Sequence, residues 1–278
     1  KQVDEISRIA GNNQFEMWFD GANGGDGYYG GADEKRAIDA TIYYDRANLY
    51  DHVHYMQPNC NVWGDEGESH WIGNESGFGY ETQWSPNCLY GSFEGVNAPF
   101  EGVPDGWAWY PVESDAKATD KGWFWHADET PLSAERMYQM YLETVGRNAT
   151  LILNMPPNRD GVLPKATVES CKAMGNLIKE RLTDNLAAGK KISASTTLTG
   201  NFSASNILDG NKNTYWAAPD GVTSGIVLDL DLGNVQPAHY VMLQEYIPLG
   251  QRVKNFRIET SADGEEWALC PAVTTTIG

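Results

Sequence analysis

Phe15-Glu16-Met17-Trp18-Phe19 is a short apolar run that stops on Asp20-Gly21. Strand-length apolar runs bounded by Gly predict buried parallel strands. Two more such runs lie further along: Cys60-Asn61-Val62-Trp63, stopping on Gly64-Asp65, and Leu151-Ile152-Leu153-Asn154-Met155, stopped by Pro156-Pro157. Helical patterns surround them. Residues 1–10 space Val3, Ile6 and Ile9 for one helix face, and residues 33–56 have helical character up to Pro58. Ser133 is placed to cap a helix carrying Arg136, Tyr138, Tyr141, Leu142 and Val145, closed near Gly146. Pro164 opens another, to about Leu182, with Val168, Cys171, Met174, Leu177 and Ile178 inward. Between them, residues 64–131 read as a long Gly- and Trp-rich loop, and loops of that size tend to carry function. The alternation predicts an α/β fold over residues 1–184. A complete eight-stranded barrel takes about 250 residues. Either upstream strands are missing, or the fold is not a barrel.

The pattern breaks at a linker, residues 185–191. Residues 192–278 show short strands at 226–232, 239–246 and 253–260, with turns at Asp209-Gly210, Asp220-Gly221 and Asp263-Gly264. This predicts a separate all-β domain. Its final residues, Thr274 to Gly278, stop before such a domain would be finished, so truncation is expected there.

Composition narrows the partners. The 278 residues carry a net charge of −18, which repels phosphate backbones and argues against nucleic acid. Ten Trp and 14 Tyr suit a hydroxyl-rich ligand, because flat rings pack on sugar C–H faces; they equally fill cores. No apolar run approaches the length of a membrane span. The four cysteines, Cys60, Cys88, Cys171 and Cys270, form no metal-type spacing, and a Cys60–Cys88 disulfide is left open.

A glycoside is hydrolysed with retention by two carboxyl groups about 5–5.5 Å apart. One attacks the anomeric carbon; the other protonates the leaving oxygen and then activates water. In α/β barrels such groups stand at the C-terminal ends of strands. Asp20 ends a strand and has Gly21 behind it, which fits the first role as well as it fits a plain Asp-Gly turn. The second carboxyl is sought after the 60–63 strand. Asp65, Glu66, Glu68, Glu75 and Glu81 all qualify by position.

Motifs separate these candidates. Glu16-Met17-Trp18-Phe19-Asp20-Gly21-Ala22-Asn23 resembles the nucleophile strand of glycoside hydrolase family 29, the α-L-fucosidases. Trp71-Ile72-Gly73-Asn74-Glu75-Ser76-Gly77 and Glu81-Thr82-Gln83-Trp84-Ser85 resemble the acid/base loop of that family's α-1,3/1,4-specific subgroup. Gly122-Trp123-Phe124-Trp125-His126 is similar to its later aromatic loop, and residues 145–157 to its last barrel strands. The resemblance implies the C-terminal part of a (β/α)8-like barrel over 1–184, with an N-terminal barrel half as missing partner. It implies Asp20 as nucleophile and Glu75 as acid/base, in a secreted or periplasmic retaining exo-glycosidase. Such an enzyme releases terminal α-1,3/1,4-linked L-fucose from oligosaccharides or glycoproteins and needs no cofactor for catalysis. Trp18, Trp71 and Trp84 are expected to pack on sugar or barrel wall. His126 is expected to bond a substrate hydroxyl, and Glu81 and Glu113 to meet leaving-group sugars. Other readings are a catalytically inactive carbohydrate-binding scaffold and a broad-specificity fucosidase. Residues 192–278 resemble a discoidin-like jelly-roll sandwich close to family 32 carbohydrate-binding modules, through residues 204–216, 229–233 and 245–253. In that fold the Asp-Gly-Asn turn often holds a structural Ca²⁺, which makes Asp209 and Thr214 candidate ligands; a plain Asx turn is the alternative.

Overall fold

A computed structural model describes residues 1–11, 13–20, 24–64, 66–88, 98–272 and 275–278. Gly21, Asp65 and Thr274 lie outside the described residues. Five short parallel strands run side by side: β1 (Glu16–Trp18), β2 (Asn61–Trp63), β3 (His70–Trp71), β4 (Val112–Lys117) and β5 (Thr150–Asn154). Glu16 pairs with Asn61 and Trp18 with Trp63. A single parallel bridge, Trp63 to Ser69, carries the arc on to β3. Trp71 then pairs with Glu113, and β4 pairs with β5 from Glu113–Thr150 to Lys117–Asn154. Parallel neighbours need long crossovers. Helix α2 (Arg46–Met56) occupies the first and α3 (Ala134–Thr144) the last, while α1 (Gln2–Ala10) precedes the arc and α4 (Lys165–Leu182) follows it.

Strand alternation divides these side chains between two faces. Met17 and Val62 turn toward α2 and pack with Val53 and Cys60. Val53 and Val62 have no exposed surface, and such burial is worth about 1.5–3 kcal/mol per side chain. On β4, Ala116 turns toward Met140 of α3 across Gly77. The opposite face therefore carries Glu16, Trp18, Asn61 and Trp63 from β1 and β2, and Glu113, Asp115 and Lys117 from β4.

Several expectations need correction. Strand β4 lies within the stretch expected to be loop, because Glu113-Ser114-Asp115-Ala116-Lys117 lacks the apolar run that marks a buried strand. Residues 33–56 are not helical throughout: Arg36–Ile38 is a strand antiparallel to Gly25–Gly27. Helix α1 directs Val3 inward but leaves Ile6 49% and Ile9 89% exposed, so their spacing does not mark one buried face. Ser133 does cap α3, accepting from the Arg136 amide at 3.2 Å. Helix α3 buries Met137, Tyr138, Met140 and Thr144, so Met137 and Met140 belong to an inward face that the sequence reading did not name. The inward set of α4 is half-buried. All four cysteines are free, which removes the Cys60–Cys88 disulfide.

Beyond α4 the described elements are short strands and single 3-10 turns. β6 (Lys191–Ala194) pairs antiparallel with β7 (Leu228–Asp231), and β8 (Glu259–Thr260) with β9 (Ala268–Leu269). Residues 239–246 form no assigned strand, and Val241 and Met242 are exposed there. A strand needs a ladder of hydrogen bonds to its neighbour, and the bond from Glu245 N to Gly278 O at 2.8 Å does not extend into one. The elements are all β, but two-stranded ladders stand where a sandwich of two sheets was expected.

Candidate active site

The face of the arc turned away from the helices is built in tiers. At the lowest, Asn61 Nδ2 donates to Glu16 Oε1 and to Ser69 Oγ, both at 2.7 Å. Ser69 Oγ donates to Glu113 Oε1 at 3.2 Å, and Trp18 Nε1 donates to Glu113 Oε2 at 3.2 Å. Glu113 is buried, and its desolvation, reinforced by a hydrogen bond to Glu16 and by that residue's charge, pushes its pKa up to about 8. Burial beside Glu16 therefore favours the protonated form of this carboxyl. Both oxygens are engaged by Trp18 and Ser69, so the structure gives Glu113 to the floor of the arc.

One tier higher the Trp18 and Trp63 rings stack with centroids 3.6 Å apart. Beside them Trp71 Nε1 donates to Asp115 Oδ1 at 2.8 Å. Asp115 is buried, and its pKa is raised first by desolvation. The Trp71 bond opposes the rise, and the nearby charges of Glu75 and Asp20 add to it. One buried carboxyl thus feels both acids singled out in the sequence, although they come from different strand ends. Asp20 reaches it because Phe19 N still bonds Trp63 O at 3.1 Å, which extends the β1 pairing and its alternation to residue 20.

Glu75 is held from the far side. Trp123 Nε1 donates to its Oε2 at 3.2 Å. Trp123 is fixed in turn by Asn154 Nδ2, which donates to its carbonyl at 2.9 Å, and by the Lys117 ammonium 5.3 Å from its ring centre. Asn154 and Lys117 are paired residues at the C-terminal ends of β5 and β4. The loop itself is anchored by Asn74, whose Nδ2 donates to Phe78 O at 3.0 Å and whose Oδ1 accepts from Ser76 N at 3.0 Å. Glu75 and Asp20 are both exposed. Two accessible carboxylates around one buried carboxyl can attack a polarised carbon from one side and exchange a proton on the other.

The remaining candidates are spread more widely. Trp84 is buried in its loop, 5% exposed, with its amide bonded to Glu101 O at 2.8 Å. Glu81 is exposed, and its carbonyl accepts from Thr275 Oγ1 at 3.5 Å. His126 is exposed three residues beyond Trp123, with its amide bonded to Glu129. Sequence reasoning missed Asp115, Trp123, Trp63 and Lys117. The available signal was the polar alternation at 113, 115 and 117, which a pocket-facing barrel strand shows and a loop does not need. In the all-β part Thr214 Oγ1 donates to Asp209 Oδ2 at 2.6 Å and to Asn211 O at 2.9 Å. The Thr214 bond and that from Asn211 N hold the Asp209 carboxylate below its usual range. Among the described residues, no group of three or more His, Cys, Asp or Glu gathers as metal ligands.

Comparison with known proteins follows this geometry. The family model for alpha-L-fucosidase matches residues 36–181, and that for the F5/8 type C domain matches residues 191–277. Glu75 and Asp115 fall inside the first span, and Asp20 lies before it. An Arabidopsis thaliana protein named alpha-L-fucosidase 1 is 30% identical over 269 residues, 94% of this chain and 50% of its own length. A Ruminococcus gnavus GH29 fucosidase, solved in complex with fucose, is 30% identical, with a TM-score of 0.80 over 98% of this chain and 57% of that one. A glycoside hydrolase 29 family member from an unknown rumen bacterium is 30% identical with a TM-score of 0.74, over 99% of this chain and 47% of that one. The chain spans about half the length of the curated relatives it matches, 49% and 50%.

Proposed function

The chain belongs to the alpha-L-fucosidase family, and on that premise we propose that it supplies both catalytic carboxyl groups of a retaining exo-glycosidase. The enzyme removes terminal α-1,3/1,4-linked L-fucose from oligosaccharides or glycoproteins. Asp20 attacks the anomeric carbon and forms a glycosyl ester as the bond to the leaving oxygen breaks. Glu75 gives that oxygen its proton, then takes one from the water that cleaves the ester. Between them Asp115 keeps a polar, buried contact beneath the sugar, and Trp71 orients it. Trp123 holds Glu75 at the mouth of the arc. Trp18 and Trp71 are the rings best placed to meet the sugar, with Glu81 and His126 further out on the leaving-group side.

The observation that carries this reading is geometric: the β1 pairing runs on through Phe19 N to Trp63 O at 3.1 Å and so turns Asp20 to the face of the arc where Trp71 bonds Asp115 at 2.8 Å, and Trp123 bonds Glu75 at 3.2 Å from the ends of β4 and β5. Partners and setting follow the same premise. A fucosylated glycan is the substrate. An upstream barrel half covers the exposed Ile6, Ile9 and Phe15 and the edge of β1 away from β2. Residues 185–191 act as the linker, and the protein works in the periplasm or outside the cell. No described helix is long and apolar enough to cross a membrane. Thr214 Oγ1 lies 2.6 Å from Asp209 Oδ2 and 2.9 Å from Asn211 O, an oxygen set that suits a hard cation. We assign them a structural Ca²⁺, which would raise the melting temperature of the all-β part when added and lower it when chelated. The fucosidase reading is tested with full-length enzyme on a Lewis-type trisaccharide. Asp20→Asn is expected to abolish turnover. Glu75→Gln should slow it; on α-L-fucosyl fluoride, whose leaving group needs little protonation, breakdown of the ester limits this variant, and azide, which attacks the ester without a general base, should restore part of the rate. A Glu75→Gln enzyme at wild-type rate would overturn the acid/base assignment.

A further inference from the structure

Gln251 belongs to the all-β part, yet its side chain is only 4% exposed and is spent on the barrel part. Its Oε1 accepts from the Ser85 backbone N–H at 2.9 Å and from Asn148 Nδ2 at 3.2 Å. Its Nε2 lies 2.9 Å from Gln83 O, 2.8 Å from Thr276 Oγ1 and 2.6 Å from Ile277 O. Asn148, in the left-handed region at φ 60°, also donates to Gln83 O at 3.1 Å. One buried amide thus joins three segments: the 83–85 loop, the entrance to β5 and the last residues of the chain. Buried polar networks of this kind fix a single arrangement when every member is satisfied.

The network continues into the loop that carries the candidate acid/base. Gln83 is 1% exposed; its Oε1 accepts from Tyr80 N at 3.3 Å and its Nε2 donates to Phe100 O at 2.8 Å. The Phe100 ring meets Trp71 edge-on at 6.2 Å, and Trp71 donates to Asp115. Trp71 opens and Ser85 closes the loop that presents Glu75. The contact of Thr275 Oγ1 with Glu81 O at 3.5 Å and the Lys254–Asp105 ion pair at 2.9 Å also join the parts; the first is long and both are exposed, so they contribute little.

We propose that Gln251 is a positioning residue: through this one amide the all-β part fixes the 71–85 loop, and with it the proton donor, in its working position. The second domain then acts on bond cleavage, and glycan capture is not its sole contribution. This rests on the fucosidase reading.

The test uses full-length enzyme carrying Gln251→Met, which keeps the shape and removes every hydrogen bond, or Gln251→Glu, which keeps the acceptor toward Ser85 N. Values of kcat/KM, which report events up to the glycosyl ester, are compared for two substrates. A Lewis-type trisaccharide has a leaving sugar that must be protonated. α-L-Fucosyl fluoride has a leaving group that needs little protonation. The trisaccharide value is expected to fall about tenfold or more and the fluoride value to hold within about twofold, because only general-acid assistance is lost. Gln251→Glu should fall less on the trisaccharide than Gln251→Met. Should Gln251→Met fail to fold, Gln251→Glu carries the same comparison. Equal losses on both substrates, or none on either in a folded variant, would overturn the inference. Wild-type turnover of the two substrates checks the fucosidase reading separately. Amide hydrogen exchange across residues 80–87 checks the coupling whether or not turnover is seen. Exchange should quicken there and not in β4; unchanged exchange would also overturn it.

Discussion

Single residues set opposing pH limits on stability. Glu113 is pushed up to about 8, chiefly by burial, against 4.5 for the free group. Between these values the folded chain keeps a proton that the unfolded chain has released. Its contribution is therefore full below pH 4.5 and is lost as pH rises toward 8. His70 works the other way. Buried in a stack on Tyr110 with ring centres 4.1 Å apart, it is held down to about 4 against 6.5. The unfolded chain gains the proton first, so this contribution is present above pH 6.5 and is lost as pH falls through about 4. Glu113→Gln keeps the neutral shape and should flatten the alkaline limb of a melting-temperature profile while leaving the acid limb unchanged. An alkaline limb equally steep in the variant would show that Glu113 ionises normally. At this scale the sequence pointed to Glu113 as a site residue but not to its raised pKa, which depends first on burial and then on Glu16, 97 positions away (113 minus 16).

Elements were legible where apolar pattern and caps agree. Ser133 and Pro164 marked α3 and α4, and the runs at 15–19, 60–63 and 151–155 marked three of the five parallel strands. Strand β4 was not legible because it is buried on one face by Ala116 and on the other by carboxyls and Lys117. Its reading needs the pocket that these groups line. The loop that carries Glu75 passes close to the same strand. Gly77 has φ +73°, and a Cβ there would meet Ala116 Cβ and Met140 Cγ at 3.0 Å. Gly77→Val combines a left-handed backbone with overpacking between β4 and α3. A loss of about 2–4 kcal/mol in denaturant titration is expected. A variant as stable as wild type would mean that the loop does not pack there.

For the whole molecule, the sequence carried the order of its parts better than their closure. A βα half followed by short strands was readable from periodicity, and the five-strand arc matches the first of these. The exposed Ile6, Ile9 and Phe15, and the exposed Val241 and Met242, could not be foreseen, because periodicity reports which face is apolar and not whether another element covers it. The family was readable only when several motifs were taken in order; no single Asp-Gly or Gly-Asn-Glu separates chemistry from a turn. The account depends on Asp20 and Glu75 serving one sugar from opposite sides of Asp115. Full-length enzyme should be incubated with 2-deoxy-2-fluoro-α-L-fucosyl fluoride, which forms the ester readily and loses it slowly, and its peptides then weighed. The account predicts one added fluorofucosyl group, on Asp20, with none in Asp20→Asn. A label on Asp115 or Glu75, or no label in an enzyme that turns over substrate, would contradict it.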